Sequence, residues 1–203
     1  MPVGETAHVT GPSRTNLLRL WQAEACQSFD FQAFNKGDYY GAVDAKVEAE
    51  NITKVLYPND EPEAGKELRL KQQYFFVAAT FQDMMRRFLR FYSDFSKLPD
   101  AVAVQLNDTH PCIAIAELMR ILLDEQDLAW KEAWAICTRV FSYTNHTVLP
   151  EALEAWSVDL LGRALPRHME IIREIDRRFS QELKEAYPDD RDRQKRMAIV
   201  ADG

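Results

Sequence analysis

The sequence lacks several features, and each absence narrows what the chain can be. It has three cysteines in 203 residues, Cys26, Cys112 and Cys137, and no CxxC spacing. An odd count so spaced argues against a disulfide-framed secreted scaffold and for reduced thiols. No apolar run approaches the ~20 residues of a membrane span, so no membrane partner is expected. Residues 1–13 lack the basic start and apolar stretch of a signal peptide, which makes a cytoplasmic location the default expectation. Basic charge is not in excess either. Against 25 Lys and Arg stand 32 Asp and Glu, a net charge of −7, so no nucleic-acid footprint is visible. A glycine-rich phosphate loop, a GxSxG elbow and a Walker pattern are all missing. No His, Cys and carboxylate spacing matches a metal-ligand set, and no metal is expected.

What is present suffices for a core, with 46% hydrophobic and 11% aromatic residues. Residues 17–23 read as a short strand and 35–38 as a turn. Residues 39–49 read as a weakly amphipathic helix, a pattern that suits a helix meeting a partner. A long helix is expected over 66–90, from Leu70, Tyr74, Val77, Phe81, Met85 and Phe88 at helical spacing. The apolar run 101–106 reads as a buried strand. Asp108, Thr109 or His110 would then cap a helix that carries Pro111 in its first turn and runs to about residue 123. Further helices are expected over 130–141, 167–186 and 191–200. Strands followed by helices make the fold class α/β, predominantly helical.

Two polar clusters follow apolar elements. One holds Asn107, Asp108, Thr109 and His110, the other Thr144, Asn145, His146 and Thr147. Neutral donors and acceptors in such number suit a sugar, whose hydroxyls need both. In α/β proteins the turn after a strand is also the commonest ligand site. A capping role for the same residues remains open at this level. Asn59 and Asp60, before Gly65, read alone as a solvated turn, and Arg86-Arg87 as a solvated helix face able to hold a phosphate.

Three strings go further: VLYPND (55–60) with GKELRLKQ (65–72), QLNDTHP (105–111) and YTNHTVLPEALE (143–154). LRLW (18–21), FNKGDY (34–39), AENI (49–52) and LPRH (165–168) support them. In this order and spacing the chain resembles the glycogen and maltodextrin phosphorylase family over nearly its whole length. The resemblance implies an architecture of two doubly wound, Rossmann-like domains across a crevice, of the GT-B glycosyltransferase type. Residues 1–203 would be an incomplete N-terminal domain, since Pro2-Val3 already falls inside a family motif. The C-terminal coenzyme-binding domain would be absent.

The implied reaction is phosphorolysis: inorganic phosphate releases terminal α-1,4-linked glucose from glycogen or maltodextrin as glucose 1-phosphate. Pyridoxal phosphate would serve the complete enzyme, and its attachment lysine would lie outside this chain, which holds no cofactor-binding residue. By resemblance the catalytic residues are His146, Asn59 and Asp60, the last two on a mobile gate loop. The family often has a further Asn where this chain has Glu61. Asp108, His110, Asn145 and Thr147 would bind substrate. Arg86 and Arg87 match an effector or phosphate position, and the helix over 39–49 a homodimer contact. The chain by itself would be inactive. A non-catalytic glucan-binding or subunit-pairing module from the same family is the alternative.

Overall fold

A computed structural model of the chain describes residues 17–149 and 153–201. The chain divides into two compact units, residues 1–79 and 80–203.

In the first unit lie α1 (Phe31–Asn35), α2 (Gly41–Lys54) and the opening turns of α3 (Glu63–Phe88). Asp30 starts α1, its side chain accepting from the N–H groups of Gln32 and Ala33 at 2.8 and 3.0 Å. Those donors have no partner inside the helix, which is why an aspartate is favoured there. The expected turn follows, with Gly37 at a φ of 89°. Asp38 then accepts from the Gly41 N–H at 2.9 Å, and α2 begins. It continues to Lys54 and buries only Ala42, in keeping with its weak apolar stripe.

The expected strand over 17–23 does not form. Residues 17–30 are irregular, and Leu17, Leu18 and Leu20 are exposed. A strand needs a neighbour for its backbone groups. No paired strand exists among the described residues of this unit; the Ala23 N–H donates instead to Thr53 Oγ1 on α2, at 3.1 Å.

The loop ahead of α3 is tied to that helix. Gln72, 4% exposed, accepts from the Tyr57 N–H at 3.1 Å. Its amide donates to the carbonyls of Ile52 and Val55 at 2.7 and 3.0 Å. Gly65 lets the backbones close up, since a Cβ there would stand 1.9 Å from the Asn59 carbonyl oxygen.

The second unit is mostly helical around a small parallel sheet. A 3₁₀ turn (Phe95–Lys97) and α4 (Leu98–Ala101) precede β1 (Val104–Asn107). Then come α5 (Ile113–Arg120), continued by a π-helical turn (Ile121–Glu125), and α6 (Trp130–Val140). β2 (Phe141–Thr144), α7 (Val158–Ala164), α8 (Pro166–Ala186) and α9 (Arg191–Arg196) complete it. β1 and β2 pair in parallel, Val104 opposite Phe141 and Asn107 opposite Thr144. Helices α5 and α7 both pack on α8, and α4 and α5 on α6. Leu98, Leu118, Met119, Leu122 and Ala133 are fully buried at the centre. Each large apolar side chain so buried contributes roughly 1.5–3 kcal/mol.

Three expectations need correcting here. The strand begins at Val104, because Ala101 closes the short helix α4. Of β1 only Leu106 is buried, so it is not the two-sided core strand its apolar run suggests. The N-cap of α5 is Cys112, without a side-chain cap bond. Residues 108–112 form a separate turn, which frees Asp108 for another partner.

Candidate functional site

The two polar clusters meet at the carboxyl ends of β1 and β2. The sheet ladder extends one residue past β1, the Asp108 N–H donating to the Thr144 carbonyl at 2.8 Å. Asp108 itself has a φ of 60°, a left-handed conformation that aspartate and asparagine tolerate better than most residues. That twist turns its carboxylate across to the second cluster. Oδ1 accepts the main-chain N–H of His146 at 2.7 Å, a short, charge-assisted bond. The His146 backbone is therefore held by a side chain 38 residues earlier in the chain.

Neighbouring bonds stiffen the same end of the sheet. Gln105 donates from Nε2 to Thr144 Oγ1 at 3.0 Å. Asn145 donates from Nδ2 to the Thr147 carbonyl at 2.9 Å and accepts the Thr147 N–H at 3.2 Å, closing a tight local turn on either side of His146. Thr109 Oγ1 donates to Glu154 Oε2 at 3.2 Å. The Cys112 thiol donates weakly to the Asp108 carbonyl, 3.7 Å away. Burial, then the Glu154 carboxylate, push that thiol above its ordinary range. Desolvation, with Cys112 and Asp108, likewise pushes the Tyr143 phenol up. The imidazole of His146 is exposed, and His110 sits half-buried on the turn after Asp108.

Of the expected site residues, Asp108, Asn145, His146 and Thr147 thus share one hydrogen-bonded cluster, with His110 on its first loop. Asn59 and Asp60 belong to the first unit, on the loop that Gln72 holds. Asp60 pairs with Arg69 at 2.7 Å, and Asn59 Oδ1 accepts the Glu61 N–H at 3.2 Å. Arg86 and Arg87 both lie against Asp83, at 2.8 and 3.9 Å. The sequence reading placed Thr109 in the first polar cluster but gave no site role to Glu154, Cys112 or Tyr143. Glu154 and Tyr143 fall at the two ends of the string over 143–154, and Cys112 follows the string over 105–111.

A groove of about 600 Å³ between α6 and α8, lined by Trp130, Trp134, Arg178 and Phe179, contains none of these residues. Among the described residues no group of three or more His, Cys, Asp and Glu could hold a metal ion. No described helix is long and apolar enough to cross a membrane.

A sequence model of the carbohydrate phosphorylase family matches residues 6–203. The chain belongs to the carbohydrate phosphorylase family. Among its curated relatives, glycogen phosphorylase of Synechocystis sp. is 57% identical over 93% of this chain and 22% of its own length. Glycogen phosphorylase of Saccharomyces cerevisiae is 53% identical, over 93% of this chain and 21% of its own. The muscle form of glycogen phosphorylase from Homo sapiens is 52% identical, over 93% and 23%. This phosphorylase chain therefore spans between a fifth and a quarter of the length of those relatives. Both polar clusters lie inside the matched range.

Proposed function

We propose that the chain supplies one wall of the active site of an α-1,4-glucan phosphorylase, an enzyme that releases glucose 1-phosphate from glycogen or maltodextrin. The observation that carries this reading is the Asp108–His146 bond, which fixes a polar, solvent-facing backbone at the carboxyl ends of two parallel strands. A terminal glucose presents several hydroxyls, and the Asn145–Thr147 cluster offers donors and acceptors for them. The His146 carbonyl shares its peptide unit with the Thr147 N–H, which Asn145 Oδ1 accepts at 3.2 Å, and can face positive charge as the glycosidic bond breaks. Preorganised dipoles of this kind need no reorganisation during the reaction. Asp60 and Asn59 act in the same enzyme as the gate loop, and residues 39–49 as a contact between two copies. Arg86 and Arg87, exposed on α3 and facing Asp83 at 2.8 and 3.9 Å, stand at the effector or phosphate position.

Pyridoxal phosphate would supply an acid–base phosphate group in the complete enzyme, but the lysines of this chain do not fit its attachment. Such a lysine must be enclosed and readily deprotonated. Lys36, Lys46, Lys54, Lys71, Lys97, Lys131, Lys184 and Lys195 are exposed. The half-buried Lys66 bonds Glu63 at 2.6 Å, which moves its pKa up, the wrong direction. We therefore expect the 203-residue polypeptide to form no internal aldimine and to release no glucose 1-phosphate from maltodextrin. A stoichiometric aldimine absorbance at one lysine, or measurable product, would overturn that assignment.

The reading itself is tested in the complete phosphorylase that carries this segment. His146→Ala removes the ring but keeps the peptide. One lost hydrogen bond to a neutral hydroxyl is worth about 0.5–1.5 kcal/mol, so kcat/KM for phosphorolysis should fall roughly tenfold. If unaltered kinetics accompany an intact fold, His146 serves the loop and not the sugar. Glucan binding without any turnover by the parent protein would favour a binding module instead.

A further inference from the structure

Among the described residues, one dipeptide holds the loop that carries His146 at two points. Asp108 takes the His146 N–H at 2.7 Å. The very next residue, Thr109, gives its hydroxyl to Glu154 at 3.2 Å, 45 residues on. Asp108 is left-handed at a φ of 60°, and such a residue reverses the chain where an extended one would carry it straight on. The two adjacent side chains can then serve opposite ends of the same loop. Between β2 and α7 the chain has no regular structure among its described residues, and Val148 and Leu149 are exposed. A loop of this length, pinned only at its first residues, would keep much of its conformational freedom.

We propose that Thr109 and Glu154 are positioning residues for His146, closing the far end of the loop that Asp108 closes at the near end. Neither touches the reacting groups on this reading; they act by fixing the direction of the His146 peptide. Small errors in such a direction are expensive, because a misplaced reacting geometry forfeits the benefit of preorganisation. The Cys112 thiol stands beside both holds, bonded to the Asp108 carbonyl and raised in pKa by burial and by Glu154. The Glu154 carboxylate thus stands near Cys112 as well as Thr109. The inference depends on the phosphorylase reading for its kinetic arm and not for its structural arm.

The test uses the complete phosphorylase with Thr109→Val, which keeps the side-chain shape and loses the hydroxyl, and Thr109→Ser, which keeps the hydroxyl. Glu154→Met, which removes the acceptor, and the Thr109→Val/Glu154→Met double variant complete the set. Amide hydrogen exchange at residues 146–149 should quicken severalfold in Thr109→Val and stay at the wild-type rate in Thr109→Ser. The kcat for phosphorolysis should fall roughly tenfold in Thr109→Val with KM for phosphate little changed, and recover in Thr109→Ser. The double variant should lose less than the sum of the two single losses, since both changes break the Thr109–Glu154 bond. Unchanged exchange in Thr109→Val overturns the clamp whatever the kinetics. Quicker exchange with unchanged kcat leaves a structural bond only and overturns the positioning role. If Thr109→Val does not fold, Glu154→Met and Thr109→Ser still decide: equal loss in both overturns the proposal, and loss confined to Glu154→Met supports it. A wild-type enzyme without phosphorolysis refutes the functional reading and leaves the exchange result to judge the clamp.

Discussion

Asp108→Ala is expected to lower kcat/KM for phosphorolysis on the order of 100-fold in the complete enzyme, a larger loss than His146→Ala. Two costs combine. The carboxylate that accepts the His146 N–H at 2.7 Å is removed, and a hydrogen bond to a charged group is worth about 1.5–3 kcal/mol. The residue also sits at a φ of 60°, a conformation that costs an ordinary L-residue about 1–2 kcal/mol. Partial exposure of the site puts the sum toward the lower end, near ~3 kcal/mol, which corresponds to that factor. Three variants separate the costs. Asp108→Asn keeps an acceptor and tolerates the backbone, so a loss of roughly tenfold is expected. Asp108→Gly relieves the backbone but leaves the N–H without its acceptor, and should fall between Asn and Ala. If Ala and Gly both match wild type, the His146 peptide needs no holding and the site is misread.

The Asp108–His146 bond shows what the sequence could and could not disclose. Both polar clusters were visible as residues, because each ends an apolar stretch and each holds an unusual density of Asn, Thr and His. Their meeting was not visible, since β2 is a strand of Phe141-Ser142-Tyr143-Thr144 with a single half-buried apolar residue. Neither alternation nor an apolar run marks it, and only pairing with β1 makes it a strand. Asp108 as a cap was a sound local reading of the turn before Pro111. The left-handed backbone at Asp108, which no propensity announces for a particular aspartate, sent the carboxylate elsewhere.

The helices were more legible. α3, α6 and α8 lie within three residues of their expected starts and ends, because their apolar residues recur every three or four positions over several turns. At α9, Asp190 accepts from the Arg193 N–H at 2.9 Å, as an aspartate after a proline turn leads one to expect. The helix is nonetheless six residues long, ending at Arg196 and not at 200. The short helices α1 and α7 escaped notice, having too few turns to show a period. Residues 17–23 misled for the opposite reason. Their apolar residues satisfy a strand template, but the described part of the first unit offers no strand to pair with.

The largest expected change in stability comes from Glu117, a residue that helical spacing alone would have put among apolar neighbours. It is 1% exposed and meets His168, 3% exposed, across α5 and α8, with Oε2 and Nε2 2.6 Å apart. Arg120 forks onto the same carboxylate at 2.8 and 2.9 Å and reaches Glu125 at 2.7 Å. Burial pushes the Glu117 carboxyl up, but the hydrogen bonds and charges of Arg120 and His168 outweigh it and hold the carboxyl below its ordinary range. Glu117→Ala leaves His168 buried without this partner, and breaking a buried pair on one side costs about 3–5 kcal/mol. For a unit of this size that is a fall in Tm of roughly 10–20 °C. Glu117→Met with His168→Leu should regain much of the loss, because neither member of the pair is then left buried without the other.

The pH dependence follows from the direction of the shift. The unfolded chain takes up the Glu117 proton near the ordinary ~4.3, above the folded value. The contribution is therefore complete above that pH and is lost as pH falls through the folded pKa. Asp124, held low chiefly by its hydrogen bonds from Arg167, adds a smaller loss in the same direction. Urea midpoints measured from pH 7 down to pH 3 should thus decline below about pH 4.3 in wild type. They should decline less steeply in Glu117→Gln, which has no proton to take up there. Equal slopes in the two proteins, together with a Glu117→Ala cost under about 1 kcal/mol, would mean that the pair fills space between α5 and α8 without holding them together.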